Sequence, residues 1–231
     1  MKNSHEFSYS GTDNLEAMAE AKNYNAYLAH LVRQQIAGAA RVVDFGAGIG
    51  TFAQPLSAAG LDIRGVEPDN AQRQRLLEKG IPCVADISEV EDGWADAIYT
   101  VNVLEHIEND RAILRTLHSK LRPGGKLFIY VPAIQSLYSA MDKKVGHCRR
   151  YGRAELTDKV KEAGFRIIDS RYADSLGFLA SLVYKWQGND SGDINRGALR
   201  AYDRFVFPLS RVIDVFTSSF VGKNLSLVAE K

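Results

Sequence analysis

The stretch Val42-Val43-Asp44-Phe45-Gly46-Ala47-Gly48-Ile49-Gly50 decides the fold. Arg41–Phe45 is a short apolar run that reads as a buried strand, and the glycines after it let the chain turn tightly and meet a ligand without a Cβ in the way. Three ligand classes use such turns. A phosphate-binding loop needs Gly-Lys-Ser/Thr, which is absent. A dinucleotide site takes G-x-G-x-x-G, whereas here the third glycine comes one place early, at Gly50, and Thr51 holds the expected position. G-x-G-x-G with Asp44 two places before the first glycine suits a ligand that has an amino-acid tail to be held and no pyrophosphate.

Outward from this turn the chain alternates short apolar runs with helical stretches. Thr51–Ala59 reads as a helix, Asp62–Glu67 as a strand, Asn70–Lys79 as a helix and Cys83–Ala85 as a short strand. Ala95–Thr100 then reads as a strand, Asp110–Leu121 as a helix and Lys126–Pro132 as a strand. This alternation predicts a Rossmann-like α/β sandwich, a parallel sheet with helices on both faces and ligands at the carboxyl ends of its strands. Upstream, residues 13–37 carry three- and four-residue apolar spacing and predict one helix. Downstream the rhythm breaks. Residues 133–153 are a polar, basic and aromatic insertion, Arg153–Glu162 a helix, and Phe165–Ser170 and Asn224–Ala229 strands. Leu176–Phe220 is a helical, aromatic-rich region expected to pack on the sheet, with a substrate-closing role or an apolar surface as the rival reading.

A chain of 231 residues accommodates one such domain with additions: a lid over 1–38, a cofactor core over 39–133, and a substrate-side insertion with the last strands over 134–231. Hydrophobic residues at 45% and charged residues at 25% suit a globular protein with a core. A formal net charge of +1 argues against a broad nucleic-acid surface. Cys83 and Cys148 suggest neither a disulfide framework nor a zinc site, and the five histidines (His5, His30, His106, His118, His147) are scattered with no metal spacing. The polar N-terminus and the lack of a run of about 20 apolar residues predict a cytoplasmic protein with no stable membrane insertion.

Three further features fall at the ends of successive strands. Val66-Glu67-Pro68-Asp69 puts Glu67 17 residues after Gly50, near the spacing at which a carboxylate forks onto two ribose hydroxyls. Ala85-Asp86-Ile87 sets a carboxylate beside an apolar side chain, suited to an adenine's amino group and ring. Thr100 to Ile107 reads TVNVLEHI.

With VVDFGAGIG, VEPD, ADI, NVLEHI and Leu121-Arg122-Pro123-Gly124-Gly125-Lys126-Leu127 in this order, the sequence resembles the class I S-adenosylmethionine (SAM)-dependent methyltransferases, over roughly residues 40–133 and again at the C-terminal strand pair. The resemblance implies a seven-stranded, mostly parallel sheet whose last strand runs antiparallel, with SAM as cofactor. It implies that Gly46, Ala47, Gly48 and Gly50 flank the methionine part, Asp44 orients its ammonium, and Glu67 and Pro68 meet the ribose. Asp86 and Ile87 would meet the adenine, and Asn102 and Val103 would form the loop under the sulfonium.

Two segments are candidates for the second substrate. The N-terminal stretch carries Tyr9 and Tyr24, placed to close over the cofactor, where a ring facing a desolvated cation gains roughly 0.5–2 kcal/mol. The segment from Ser136 to Tyr151 follows the fifth strand, and its Gly-His-x-Arg-Arg-Tyr resembles a bacterial methyltransferase subgroup. His147 is the candidate general base and, with Tyr9, the candidate catalytic pair. Tyr138, Arg149, Arg150 and Tyr151, together with Tyr24, are expected to touch the acceptor, the arginines by clamping a carboxylate or phosphate. Alternatively, His147 orders the loop and the arginines form surface pairs.

The leading expectation is methyl transfer to an O or N nucleophile of a small molecule, by a monomer or homodimer. The runner-up opens SAM by internal attack of its own amine and releases methylthioadenosine; a third reading is a SAM-binding subunit without turnover. Asn102 is followed by Val103 and Leu104, not by the Pro-Pro-aromatic of nucleic-acid methyltransferases.

Overall fold

The computed structural model describes residues 12–186 and 192–231. Strands β1 (Arg41–Phe45), β2 (Asp62–Val66), β3 (Cys83–Val84), β4 (Ala95–Val101), β5 (Leu121–Pro132), β6 (Arg166–Ala173) and β7 (Asn224–Glu230) form one sheet in the order β3-β2-β1-β4-β5-β7-β6. β1 to β5 pair in parallel, and β7 runs antiparallel to both β5 and β6. The expected Rossmann-like sheet with its antiparallel last strand is the one observed. Strand order reverses between β1 and β4, and the crevice at that switch point is where open α/β sheets hold ligands.

Alternate residues of each central strand feed two cores, as the two-residue period of a strand buried on both faces requires. Val43, Ile98, Ile129 and Leu227 face one side, where they meet Leu114 and Leu117 of α5 (Asp110–Lys120) and Leu156 and Val160 of α7 (Arg153–Glu162). Val42, Ala97, Tyr99, Phe128 and Tyr130 face the other, against Leu28 and Val32 of α2 (Lys22–Gln35), Leu56 of α3 (Ala53–Ala58) and Leu76 of α4 (Asn70–Glu78). α4 begins at Asp69, whose side chain caps the Gln72 N–H at 3.0 Å.

The single helix expected over 13–37 is two: α1 (Thr12–Ala19), then α2. The break has a distant cause. The Asp203 carboxylate accepts the N–H groups of Asn23 (3.0 Å) and Tyr24 (2.8 Å), so the first turn of α2 is capped by a residue from the far end of the chain. β5 also starts earlier than expected, at Leu121. Ala95 pairs with Leu121 and Ala97 with Lys126, leaving Arg122–Gly125 to bulge between.

The insertion carries the short helix α6 (Ala140–Lys144). The aromatic-rich region is helical as expected: α8 (Ser175–Trp186), α9 (Arg196–Ala201), one π-helical turn at Tyr202–Val206, and α10 (Phe207–Thr217). α10 is tied to the end of β6 by Asp214, which accepts the N–H groups of Asp174 and Ser175 at 2.8 and 2.9 Å. No described helix is long and apolar enough to cross a membrane.

Candidate functional site

The glycine turn leaves β1 at the switch point, and its geometry excludes side chains. Gly46 has φ +83°, and a Cβ on it would lie 2.2 Å from Val103 Cγ2. Gly50 has the same φ, and its Cβ would come within 2.8 Å of Leu76 Cδ2. Gly48 also has positive φ, while Ala47 is buried against Gly65 of β2. The N–H groups of Gly46 and Ala47 donate to the Val66 carbonyl, which pins the turn to the end of β2.

Two carboxylates sit under this turn. Glu67 Oε2 accepts the Gly48 N–H at 2.8 Å and Oε1 the Asp69 N–H at 2.9 Å, with Pro68 exposed between. Each oxygen has a second lone pair, so the fork that shapes the turn can still take two hydroxyls. Burial raises the Glu67 carboxyl above its ordinary value, against the two backbone bonds that lower it. Asp44 is buried, and burial pushes its carboxyl up to about 7; the Tyr99 hydroxyl opposes the shift and the Glu67 charge adds to it. Asp44 Oδ2 is buried with no hydrogen-bond partner. A buried acceptor without a donor, beside a cradle that a Cβ would fill, fits an ammonium-bearing ligand such as the methionine part of SAM.

Further along the edge, Asp86 is exposed and its Oδ1 accepts the Ser88 N–H at 2.8 Å, capping a short 3-10 turn. That bond and the Ser88 hydroxyl hold its carboxyl below the ordinary range. Ile87 is buried in the core beside Phe45 and Val66, so its contact with an adenine is limited to what the core leaves free.

On the other side of the switch point, Asn102, Ile134 and Asp174 are the described non-glycine residues with positive φ, at 55°, 66° and 63°. They follow β4, β5 and β6 directly or after one residue, so left-handed strain collects on one edge of the sheet, as it does at ligand sites. Tyr24 approaches this edge from α2: its hydroxyl is within reach of Asn102 and Tyr130, and burial raises its pKa. Its ring packs edge-on to Phe207 at 5.4 Å.

The insertion wraps around the loop that follows β4. The Cys148 N–H donates to the Glu105 carbonyl (2.8 Å), Arg149 to the Glu108 carbonyl (2.9 Å), and the Tyr151 hydroxyl to the Leu104 carbonyl (3.1 Å). Inside this wrap Asp142 is fully buried. Arg150 donates to both its oxygens at 2.9 Å, Ser139 N–H to Oδ2 at 2.9 Å, and its Oδ1 lies 2.8 Å from His147 Nδ1. His147 and Arg150 hold its carboxyl well below the usual range despite burial. The other ring nitrogen, Nε2, is 3.7 Å from Glu105 Oε1. Glu105 is fully buried, neither carboxylate oxygen has a hydrogen-bond partner in another residue, and burial pushes its carboxyl up to about 8. His106 stands edge-on to His147 with ring centroids 4.6 Å apart. Burial and the His147 charge lower its pKa to about 4. Glu105, His106 and His147 thus bring three ligand atoms within 4.8 Å of one another, a set able to hold a metal ion.

Of the histidines that lie scattered along the sequence, the fold brings two together: it joins a Glu-His pair on one loop to a histidine 41 positions later. The side chains expected to touch the acceptor have protein partners. Arg150 is buried in its bidentate pair with Asp142, and Arg149 is engaged by Asp110 at 2.6 Å. Tyr151 is fully buried with its hydroxyl also donating to Asp110 at 2.9 Å, and the Tyr138 hydroxyl donates to the His147 carbonyl at 2.6 Å. All four side chains make bonds within the insertion or to the loop and helix that follow β4. Tyr9 lies outside the described residues. The residues that sequence reasoning passed over are Asp142, Glu105 and His106. The available signals were the Ser139-x-x-Asp142 cap pattern and the adjacent Glu-His pair.

A seven-stranded α/β sheet with one antiparallel strand, a cradle at β1 and an acidic fork at β2 defines a Rossmann-like SAM-dependent methyltransferase domain. A family model described as "Methyltransferase domain" matches residues 12–170, more than half of the chain, and the chain belongs to that family, with SAM as its cofactor. A ubiquinone biosynthesis O-methyltransferase from Xanthomonas euvesicatoria pv. vesicatoria (strain 85-10) is 34% identical over 107 residues, 42% of this chain and 44% of that protein. A namesake from Xanthomonas axonopodis pv. citri (strain 306) is 35% identical over 100 residues, 39% and 42% of the two chains. The matched segment therefore spans less than half the length of these curated relatives. Among solved structures, a SAM-dependent methyltransferase from Archaeoglobus fulgidus superposes with a TM-score of 0.63 at 17% identity, covering 91% of this chain and 94% of that one. The [4+2]-cyclase SpnF superposes with 0.60 at 18% identity, covering 89% and 80%. At these identities the likeness is one of fold.

Proposed function

We propose that the protein transfers the methyl group of SAM to a hydroxyl oxygen of a small molecule, and that the acceptor is seated beside His147 at the carboxyl end of β4. The observation that carries this reading is the continuity of the loop after β4. Val103 presses on Gly46 of the cofactor cradle, and two residues later Glu105 meets the imidazole of His147, which Asp142 orients. Cofactor turn and proton-handling group are thus held by one short segment, Asn102–His106. The name of the curated relatives supports oxygen as the nucleophile.

In this reading Asp44 receives the ammonium of the cofactor, Glu67 its ribose hydroxyls, Asp86 its adenine, and the backbone of Gly46, Gly48 and Gly50 passes close beneath. When bound, SAM supplies a methyl group on a sulfonium, released to the acceptor oxygen as the carbon–sulfur bond breaks and S-adenosylhomocysteine leaves. The protein contributes alignment and proton removal. Tyr24 and Asn102 border the acceptor space. His147 is the group through which the acceptor's proton is lost, with Asp142 fixing the ring and Arg150 fixing Asp142. We place the reaction in the cytoplasm, on a small molecule and not a nucleic acid.

The test is product analysis with purified chain, SAM and a panel of phenolic and catecholic acceptors. S-adenosylhomocysteine formed in step with methylated acceptor supports the reading. Methylthioadenosine formed without an acceptor would overturn it in favour of internal opening of SAM.

A further inference from the structure

We infer that Glu105, His106 and His147 form a divalent transition-metal site, of the zinc or manganese class, that binds the acceptor's hydroxyl. The inference rests on the proposed seat of the acceptor and states how His147 acts there: as a ligand of the cation rather than as the atom that takes the proton. Three observations carry it. Glu105 is fully buried with neither oxygen hydrogen-bonded to another residue, and a buried carboxylate that stays ionised in a native protein is paired or bound to a metal. His147 aims Nε2 at that carboxylate from 3.7 Å while Nδ1 sits 2.8 Å from Asp142, the carboxylate–histidine arrangement that orients metal-binding imidazoles. His106 is likewise tied through its ring to the backbone of Gly146.

Two imidazoles and one carboxylate suit a borderline cation. The ligand atoms lie within 4.8 Å of one another. Bonds of about 2.1 Å need separations near 4 Å or less, so the widest pair must close by roughly 1 Å. Three protein ligands leave positions open for a hydroxyl, which ionises near neutral pH on such a cation, its proton passing to water.

The test is metal uptake by the chelator-stripped chain without substrate, by calorimetry with Zn²⁺ and Mn²⁺ and by the visible absorption of added Co²⁺. About one ion per chain should bind, and Glu105→Gln and His147→Gln should each weaken binding at least tenfold with unchanged far-ultraviolet circular dichroism. No uptake by the wild type, or equal uptake by both variants, would overturn the site. That failure leaves methyl transfer standing, since SAM binding and product formation are read separately. Stripped enzyme that keeps full turnover, with His147→Gln inactive, would return His147 to the role of base.

A second observation stands independently of this site. Of the twelve large hydrophobic side chains exposed among the described residues, ten fall between residues 179 and 220. Eight lie on α8 and α10, among them Leu182, Trp186 (91% exposed), Val212 and Phe216 (79%), while Phe205 is on the π-helical turn and Phe220 follows α10. From Arg196 to Thr217 the exposed Arg204 lies over the Phe205 ring, the half-buried Arg211 lies over Tyr27, and Arg196 and Arg200 pair with Glu20, while Asp203 and Asp214 are buried. We infer that this face docks on an anionic phospholipid surface. An exposed apolar face that carries the cationic Arg204 beside Phe205, with its neighbouring aspartates buried, complements anionic headgroups. Full-length chain should co-sediment with phosphatidylcholine vesicles containing phosphatidylglycerol and shift Trp186 emission to the blue. Release by salt and at least tenfold weaker binding of Phe216→Glu are expected. Failure to bind, equal binding by Phe216→Glu, or a dimer that this variant dissociates would overturn the inference.

Discussion

Replacing Asp44 by asparagine separates what this carboxylate does for binding from what it costs the fold. Its pKa of 3.8 rises to about 7 on folding because it is buried. At about 1.4 kcal/mol per tenfold, that rise is worth on the order of 4 kcal/mol. The sign is set by linkage: a carboxyl raised in the folded state binds its proton more tightly there, so stability falls as pH rises between 3.8 and about 7 and is level above. Asparagine keeps the shape and never ionises. Urea denaturation of both proteins without cofactor, at pH values from 4 to 8, should give a gap in favour of Asp44→Asn that opens through pH 4–7 and reaches a few kcal/mol by pH 8. The same variant should lose SAM affinity by roughly 10- to 100-fold, as expected for a charge-assisted hydrogen bond. Wild-type affinity should itself improve as pH rises towards 7. A stability gap that ignores pH, or a variant that binds SAM as the wild type does, would refute the assignment of Asp44 as the buried anion awaiting a cation.

Other outcomes follow from the same geometry. Gly46→Ala meets Val103 at 2.2 Å and keeps an unfavourable φ of +83°, so it should abolish SAM binding in calorimetry and lower the melting temperature. Glu67→Ala should weaken SAM binding at least tenfold, because it loses the ribose fork and also frees the Gly48 and Asp69 N–H groups. Arg150→Met leaves Asp142 buried without its bidentate partner and should destabilise the chain by about 3–5 kcal/mol in urea melts. His147→Gln should leave SAM affinity within about twofold while slowing turnover by about 100-fold or more, a split read by calorimetry and steady-state kinetics.

The core of the domain was legible because its signals are local. The strand Arg41–Phe45, the glycine turn and the periodicity of Asp110–Leu121 each lie within a few residues. The break between α1 and α2 was not, because Asp203, some 180 positions away, supplies the cap. The insertion was legible as unusual but not in its wiring. Arg149, Arg150 and Tyr151 look like ligand-binding residues in sequence, yet their partners, Asp110 and Asp142, are fixed only by tertiary packing. The same packing joins Glu105 and His106 to His147, a meeting that spacing along the chain does not announce.

The central claim, that the cradle at β1 and the acidic fork at β2 hold SAM, is tested most directly by calorimetric titration of the full-length chain with SAM. One equivalent should bind, displaceable by S-adenosylhomocysteine and weakened in Glu67→Ala. A folded wild-type chain that takes up no SAM would contradict it.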